Sequence, residues 1–260
     1  MTNTAFMFHT AKKNVVLIFF LVIQVLLSSY KKQVKINTEV TAPEGFALVE
    51  LFTSEGCSSC PPADEAIGRL RGWKKNVFIL SFHVDYWDYL GWKDIFSNAA
   101  YSGRQQIYGD LFHLSSIYTP QIVVNGKAQF VGSDETTLRT TIETDLKEIP
   151  KADLQIKVQK ENNNQLAVSW TTNSNSELKI NLALVQNFTK DHIQRGENKG
   201  RDLNHYFTVR DFQTLQVNNN SNTAFLHIPA DLKPSDCSVI AFIQNPKKGY
   251  IIAATESVIP

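Results

Sequence analysis

From Phe46 to Thr53 and again from Val77 to Val84 the chain carries short apolar runs bounded by polar or glycine-containing turns, the pattern of buried strands. Between them, Ala63 to Trp73 repeats its apolar residues at helical spacing, so the three segments predict a strand, helix, strand unit with two parallel strands. Asp94 to Phe112 reads as a second helical region. Thr119-Pro120 then leads into Gln121–Val124, Asn125-Gly126 and Lys127 to Val131, and Asn-Gly between two apolar runs predicts a hairpin. Ser133 or Asp134 is placed to cap a last helix running to about Leu146, with Glu135 early and Lys147 late as the helix dipole prefers, and Pro150 closes it.

After Ala152 the texture changes to alternation. Leu154–Val158, Leu166–Thr171, Leu178–Val185, Tyr206–Val209, Ala224–Ile228, Val239–Ile243 and Tyr250–Ala254 are short alternating segments separated by Asn-rich turns, which predicts a β-sandwich. The expected organisation is therefore an N-terminal segment over residues 1–40, an α/β domain over 41–149 and an all-β sandwich-like domain over 150–260.

Val15 to Leu27 is apolar except for Gln24 and follows Lys12 and Lys13, the charge-then-apolar order of a secretory signal. It is shorter than the roughly 20 residues that span a bilayer comfortably. Cutting after Ser28 or Ser29 puts Leu26 or Leu27 where a small residue is preferred, so cleavage and retention as an N-terminal membrane anchor both stay open. The expected location is extracytoplasmic, periplasmic or secreted. The chain has 26 basic and 25 acidic residues, a formal charge of +1 and no basic block, which gives a nucleic-acid partner no electrostatic support.

Export changes how the three cysteines are read, because an oxidising compartment allows disulfides. Cys57 and Cys60 stand two residues apart directly after the first apolar run and before the first helix. A sulfur at a helix N-terminus faces unpaired N–H groups and the positive end of the dipole, which stabilise a thiolate. The expectation is a solvent-facing nucleophile at Cys57 and a second sulfur at Cys60 close enough to form a disulfide. Zinc needs two more ligands, and Cys237 stands alone in an apolar run, as a small buried hydrophobe does.

Glu50, between Val49 and Leu51, has two readings: a buried acid with a raised pKa that shuttles a proton, or a side chain that alternation turns to solvent. His83, Asp85 and Asp88 cluster with Tyr86, Trp87, Tyr89 and Trp92 after the second strand. The carboxyl ends of parallel strands form binding edges, so this loop is expected to flank the cysteines and receive substrate. The competing reading is that these rings cap the core and His83 satisfies a backbone group. Two thiolates with His83 would also suit Cu(I), which makes a copper carrier the alternative function with Cys57, Cys60 and His83 as ligands. A merely structural disulfide is a third reading, weakened by the short and often strained Cys-x-x-Cys loop.

The order strand, Cys-x-x-Cys helix, strand, helix, Thr-Pro, hairpin, helix resembles the thioredoxin fold over roughly Phe46 to Lys147. More closely, the stretch Val49-Glu50-Leu51-Phe52-Thr53-Ser54-Glu55-Gly56-Cys57-Ser58-Ser59-Cys60-Pro61-Pro62-Ala63-Asp64 resembles the signature of exported thioredoxin-like proteins grouped as domain of unknown function 1223. His83 to Asp88, Tyr118 to Gln121, Val124 to Gly126 and Gly196 to Arg201 are similar to that family's other motifs in the same order. The resemblance implies an α/β thioredoxin-like fold. It also implies Cys57 as exposed nucleophile, Cys60 as resolving cysteine, Pro120 as a cis-proline against the disulfide, Thr119 as a backbone partner for an extended substrate, and Glu50 as the acid assisting Cys60.

Two features depart from thioredoxin. Pro61 and Pro62 directly after Cys60 predict a helix that begins later, and the Ser58-Ser59 spacer leaves oxidant or reductant unassigned. The function expected is thiol-disulfide exchange with a protein or small-molecule thiol or disulfide substrate and an unidentified redox partner. No cofactor is required. The catalytic residues expected are Cys57, Cys60, Pro120 and Glu50, with Thr119, Tyr86, Trp87 and His83 binding substrate. For the sandwich no nucleophile, acid-base pair or metal spacing stands out.

Overall fold

In the computed structural model, residues 44–162, 164–175, 177–217 and 222–260 are described, together with Gln24. The apolar N-terminal run read as a signal or anchor, and the membrane tether it would supply, lie outside the described residues. No described helix is long and apolar enough to cross a membrane.

The strands are β1 (Ala47–Thr53), β2 (Val77–His83), β3 (Gln121–Val124), β4 (Ala128–Val131), β5 (Leu154–Asn162), β6 (Gln165–Thr172), β7 (Lys179–His192), β8 (Asp202–Gln216), β9 (Thr223–His227), β10 (Cys237–Gln244) and β11 (Ile251–Val258). The helices are α1 (Pro61–Gly68), α2 (Ala99–Leu111) and α3 (Glu135–Asp145), with short 3-10 turns at Asp88–Leu90 and Pro234–Asp236. α1 starts at Pro61, after both cysteines, because Cys60 is the N-cap and the two prolines occupy positions whose N–H groups would be unpaired anyway.

The α/β thioredoxin-like fold with a separate β-sandwich domain is not what forms. Strands hold 42% of the described residues and helices 18%, and the principal sheet is a mixed one of eight strands in the order β11-β10-β7-β8-β2-β1-β3-β4. The strands assigned to a sandwich continue the sheet begun by β1 and β2. β8 joins β2 in parallel through Ser81 and Thr208, and the Ser81 hydroxyl donates to the Tyr206 carbonyl. Only β5, β6 and β9 make a second sheet. Local alternation identifies a strand but not the strand it pairs with, and an unpaired β2 edge is a free template for pairing. Pro43–Pro260 form one compact unit.

The three larger of the four apolar clusters among the described residues follow from the alternation of buried strands. Leu48 and Phe52 of β1 turn toward α2 and pack with Phe82, Tyr108 and Phe242. Val49 and Leu51 turn the other way, onto Ala63 and Ile67 of α1 and Leu138 and Ile142 of α3. Ile180, Leu182, Val239 and Ala241 pack against Val168, Trp170 and Leu226 of the smaller sheet. The Asn125-Gly126 turn forms as predicted, with φ of 48° and 63°, and it does more than reverse the chain. Asn125 Oδ1 accepts from Leu48 N, its Nδ2 donates to Phe46 O and Asp145, and its carbonyl accepts from Ile251 N.

Glu50 faces the α2 side and is fully buried. Arg104 donates to both its oxygens, at 2.5 and 2.9 Å, and the Tyr108 hydroxyl donates at 2.5 Å. The guanidinium lies among the rings of Phe82, Tyr108, Phe212 and Phe242, 5.2–5.6 Å from their centroids. Arg104→Leu strands a buried carboxylate and is expected to cost about 3–5 kcal/mol, whereas Glu50→Leu/Arg104→Leu together cost less than either single change. Urea unfolding midpoints at pH 7 measure both; equal losses for the single and double variants would show that the pair is not held as an ion pair.

Candidate functional site

Cys57 and Cys60 are joined in a disulfide at the N-terminus of α1. Both are fully buried, which corrects the expectation that Cys57 faces solvent; only the intervening Ser58 and Ser59 are exposed. The cover comes from two places. Trp87 lies against Gly56, where a Cβ would come within 2.9 Å of the Trp87 Cβ, and its indole N–H donates to the Thr119 hydroxyl at 2.8 Å. Thr119 precedes the cis peptide bond to Pro120. Pro120 is buried beside α1, since a Cβ on Gly132 would lie 3.0 Å from both Pro120 and Ala63. Tyr86 donates to Gln105, which in turn donates to the Tyr118 carbonyl and to Gln121. The segment before Pro120 is thereby fixed by buried amides.

The second cover is the loop between β7 and β8. Asn198, fully buried, donates to the carbonyls of Glu55 at 2.8 Å and Cys57 at 3.0 Å, and is itself held by Arg201. Glu197 accepts from the Ser58 N–H at 3.1 Å, and the Ser58 hydroxyl followed by this N–H holds its carboxyl below the usual range. Gly196, at φ 75° and packed on Trp92, makes the turn that presents both. The Gly196–Arg201 motif, open in the sequence between a binding loop and a plain turn, is thus the clamp on the cysteine loop.

Beneath the disulfide sits a buried charged cluster. Thr53 and His83 are neighbours at the carboxyl ends of the parallel strands β1 and β2. The Thr53 hydroxyl donates to Asp64, one helical turn beyond Cys60 on α1. His83 Nδ1 lies 2.6 Å from Asp94, which also accepts from the Glu55 and Phe96 N–H groups. His205 of β8 bonds Glu55 at 3.0 Å, and the other Glu55 oxygen accepts from Trp92 at 2.7 Å. The two imidazoles meet edge to face at 5.0 Å, Phe96 seals both, and His83 Nε2 and His205 Nδ1 have no hydrogen-bond partner among the described residues.

Burial pushes the Asp64 carboxyl from 3.8 up to about 6, although both imidazoles pull against it. Burial also opposes a charge on His83, but the Asp94 carboxylate beside it outweighs burial and raises its pKa. Asp94, likewise disfavoured by burial as an anion, is held below its usual value by His83 and two backbone N–H groups. Asp64 has an outlet: it lines a cleft of about 240 Å³ with Pro61, Arg201 and Asn204.

The structure therefore brings together Cys57, Cys60, Trp87, Thr119, Pro120 and His83, and it leaves Glu50 out. Glu50 lies on the opposite face of β1, paired with Arg104, so it cannot assist Cys60. Of the buried acids on the cysteine side, Glu55, Asp64 and Asp94, the one a helical turn from Cys60 is Asp64, which the i, i+4 spacing would have revealed. His205 and Asn198 carried no local signal, being more than 140 residues from their partners at Glu55 and Cys57. Among the described residues no three His, Cys, Asp or Glu side chains form a metal-holding group, and His83 turns Nδ1 to Asp94 rather than joining the sulfurs as a copper ligand.

Residues 48–244 match the family model described as protein of unknown function (DUF1223), and the chain belongs to that family. The chain is also similar to a crystal structure of protein AGR_C_4864 from Agrobacterium tumefaciens, at 26% identity and a TM-score of 0.62, with 84% of this chain and 96% of that one covered. A domain of the outer membrane lipoprotein Omp28 from Porphyromonas gingivalis aligns at 12% identity over 43% of this chain and 90% of that one, with a TM-score of 0.24. Among curated proteins none matches the chain.

The raised Asp64 pKa has a stability consequence. Between about pH 4 and 6 the folded chain keeps a proton that the unfolded chain has released, so stability falls as pH rises. The shift corresponds to about 3 kcal/mol, present below pH 4 and gone above pH 6. Wild type minus Asp64→Asn, from urea unfolding at pH 4 and 7, is expected to fall by that amount; a flat difference would place the Asp64 pKa near its ordinary value.

Proposed function

We propose that this protein is an extracytoplasmic thiol-disulfide oxidoreductase working through Cys57 and Cys60. The observation that carries the reading is the placement of the bonded pair at the N-terminus of α1 with the buried Asp64 carboxyl one turn further on. Pro61 and Pro62 carry no N–H, so a thiolate released at this end is favoured by the helix dipole alone, and a carboxyl with a pKa near 6 holds a proton for exchange at mildly acidic to neutral pH. Export rests on the charged-then-apolar N-terminal run and on the compartment a disulfide needs.

Reaction with a dithiol substrate proceeds in two displacements. A substrate thiolate attacks Cys57 Sγ, the Cys57–Cys60 bond breaks, and Cys60 departs as a thiolate that takes the proton from Asp64. The second substrate thiol gives its proton to the Asp64 carboxylate and attacks the substrate sulfur of the mixed disulfide, releasing Cys57 as a thiolate. The substrate is oxidised by two electrons and the cysteine pair reduced by two. The reverse sequence reduces a substrate disulfide, and the potential of the pair against its surroundings sets the direction.

Equilibration of the purified protein in glutathione buffers, followed by alkylation and intact mass, is expected to give a reversible couple between roughly −120 and −270 mV. Resistance to reduction below about −300 mV would identify a structural disulfide and end this reading. Cys57→Ser is expected to abolish exchange and Cys60→Ser to accumulate the mixed disulfide; full exchange in either variant would remove the mechanism.

Because both sulfurs are buried, attack requires the cover to open. Asn198→Ala deletes two hydrogen bonds to the cysteine loop and is expected to speed reduction by dithiothreitol roughly tenfold, about 1.4 kcal/mol of opening free energy. Stopped-flow reduction followed by tryptophan fluorescence measures this, and an unchanged rate would assign the gate elsewhere.

A further inference from the structure

A second site lies on the opposite face of the sheet, away from the disulfide. A cleft of about 470 Å³ opens between α2 and the ends of β7, β8 and β10. This is within the size range of small-molecule sites. Its walls are Ile107, Leu111, Phe212 and Pro246, and Ile107 is 58% exposed on a helix whose other face is core. No carboxylate lines the cleft. Glu50, the acid nearest its floor, is sealed beneath Arg104.

The polar groups of the cleft are donors left over. Arg104 spends its Nε and Nη2 hydrogens on Glu50, Tyr108 and Gln244, while its Nη1 makes one bond, to Gln244, and retains a hydrogen. Asn181, fully buried on β7, accepts from Thr214 through Oδ1, but its Nδ2 has no partner among the described residues. An unpaired buried amide is costly, and few native side chains are left that way without a ligand or water to complete them. Lys179, two residues earlier on the same face of the strand, lines the cleft half-exposed, and no ion pair engages it among the described residues.

We propose that this cleft binds a small apolar monocarboxylate, its hydrocarbon body between Ile107, Leu111, Phe212 and Pro246 and its carboxylate accepting from Asn181 Nδ2 and Lys179. Apolar walls with convergent donors and a single net positive charge match one acceptor-only anionic head on an apolar body. A phosphate or dicarboxylate would bring a second charge into walls that offer it nothing. The proposal does not rest on the disulfide chemistry, and a Cys57→Ser/Cys60→Ser chain is expected to bind equally.

The test is isothermal titration of the full chain with decanoate and with 1-decanol, its uncharged counterpart. One decanoate per chain is expected, with 1-decanol at least tenfold weaker. Asn181→Leu and Lys179→Gln are each expected to weaken decanoate about tenfold, and Ile107→Trp, which fills the cleft from an exposed helical position, to abolish binding while the circular dichroism spectrum stays native. Absence of decanoate binding at millimolar concentration, equal affinity for the alcohol, or undiminished binding to a folded Ile107→Trp variant would each overturn the proposal.

Discussion

The junction between β8 and β2 is the contact on which the rest depends. It is narrow: Ser81 pairs with Thr208, and the Ser81 hydroxyl reaches the Tyr206 carbonyl. Through it the second half of the chain becomes part of the first half's sheet. Three residues further back along β8, His205 arrives beside His83, and the loop preceding β8 arrives over the cysteines with Glu197 and Asn198. A disulfide loop at a helix N-terminus is a local structure that residues 54–64 make alone. A disulfide loop that is buried, clamped from above and backed by a charged cluster requires β8 in this place.

The sheet separates two kinds of buried charge. On the α2 face, Glu50 and Arg104 neutralise each other among aromatic rings, with Tyr108 and Gln244 completing their hydrogen bonds. Such a pair gains little over a well-packed apolar substitute, but removing one member leaves an uncompensated ion. On the α1 face the accounting is left open. Three carboxylates, Glu55, Asp64 and Asp94, face two imidazoles that each keep an unpartnered nitrogen. A fully satisfied network rigidifies, whereas a buried polar group left unpaired is costly. The pair at Glu50 is closed and the cluster around Asp64 is not, although β1 lies between them and carries Glu50 and Thr53 only three residues apart.

What the sequence made legible was local. The Asn125-Gly126 turn, the Asp134 cap of α3 and the seven strands after Ala152 all follow from short-range chemistry, and each is present. Strand partnership was not legible, because alternation along 202–216 is equally compatible with a sandwich of its own and with an extension of the β2 edge. Glu50 shows the same limit at one residue. Its burial was among the two readings the sequence allowed, but its partner, Arg104, lies 54 positions away on a helix whose docking depends on the sheet. Asp64 differs, because its relation to Cys60 is one helical turn and needs no tertiary knowledge.

The burial of both sulfurs changes what exchange demands of this architecture. A thiolate exposed at a helix terminus reacts with whatever thiol diffuses to it, and its selectivity is set mainly by potential and pKa. In the proposed exchange the attacking sulfur must first displace Trp87, packed on Gly56, or the amide clamp of Asn198, and those two side chains are anchored on different segments, at Thr119 and Arg201. A substrate that supplies its own hydrogen-bond acceptor to Asn198, or a donor to Thr119, opens the site with the same contacts that bind it. Under the proposed function, selectivity resides in opening, and the loop before β8, contributed by the far half of the chain, controls access to the cysteines.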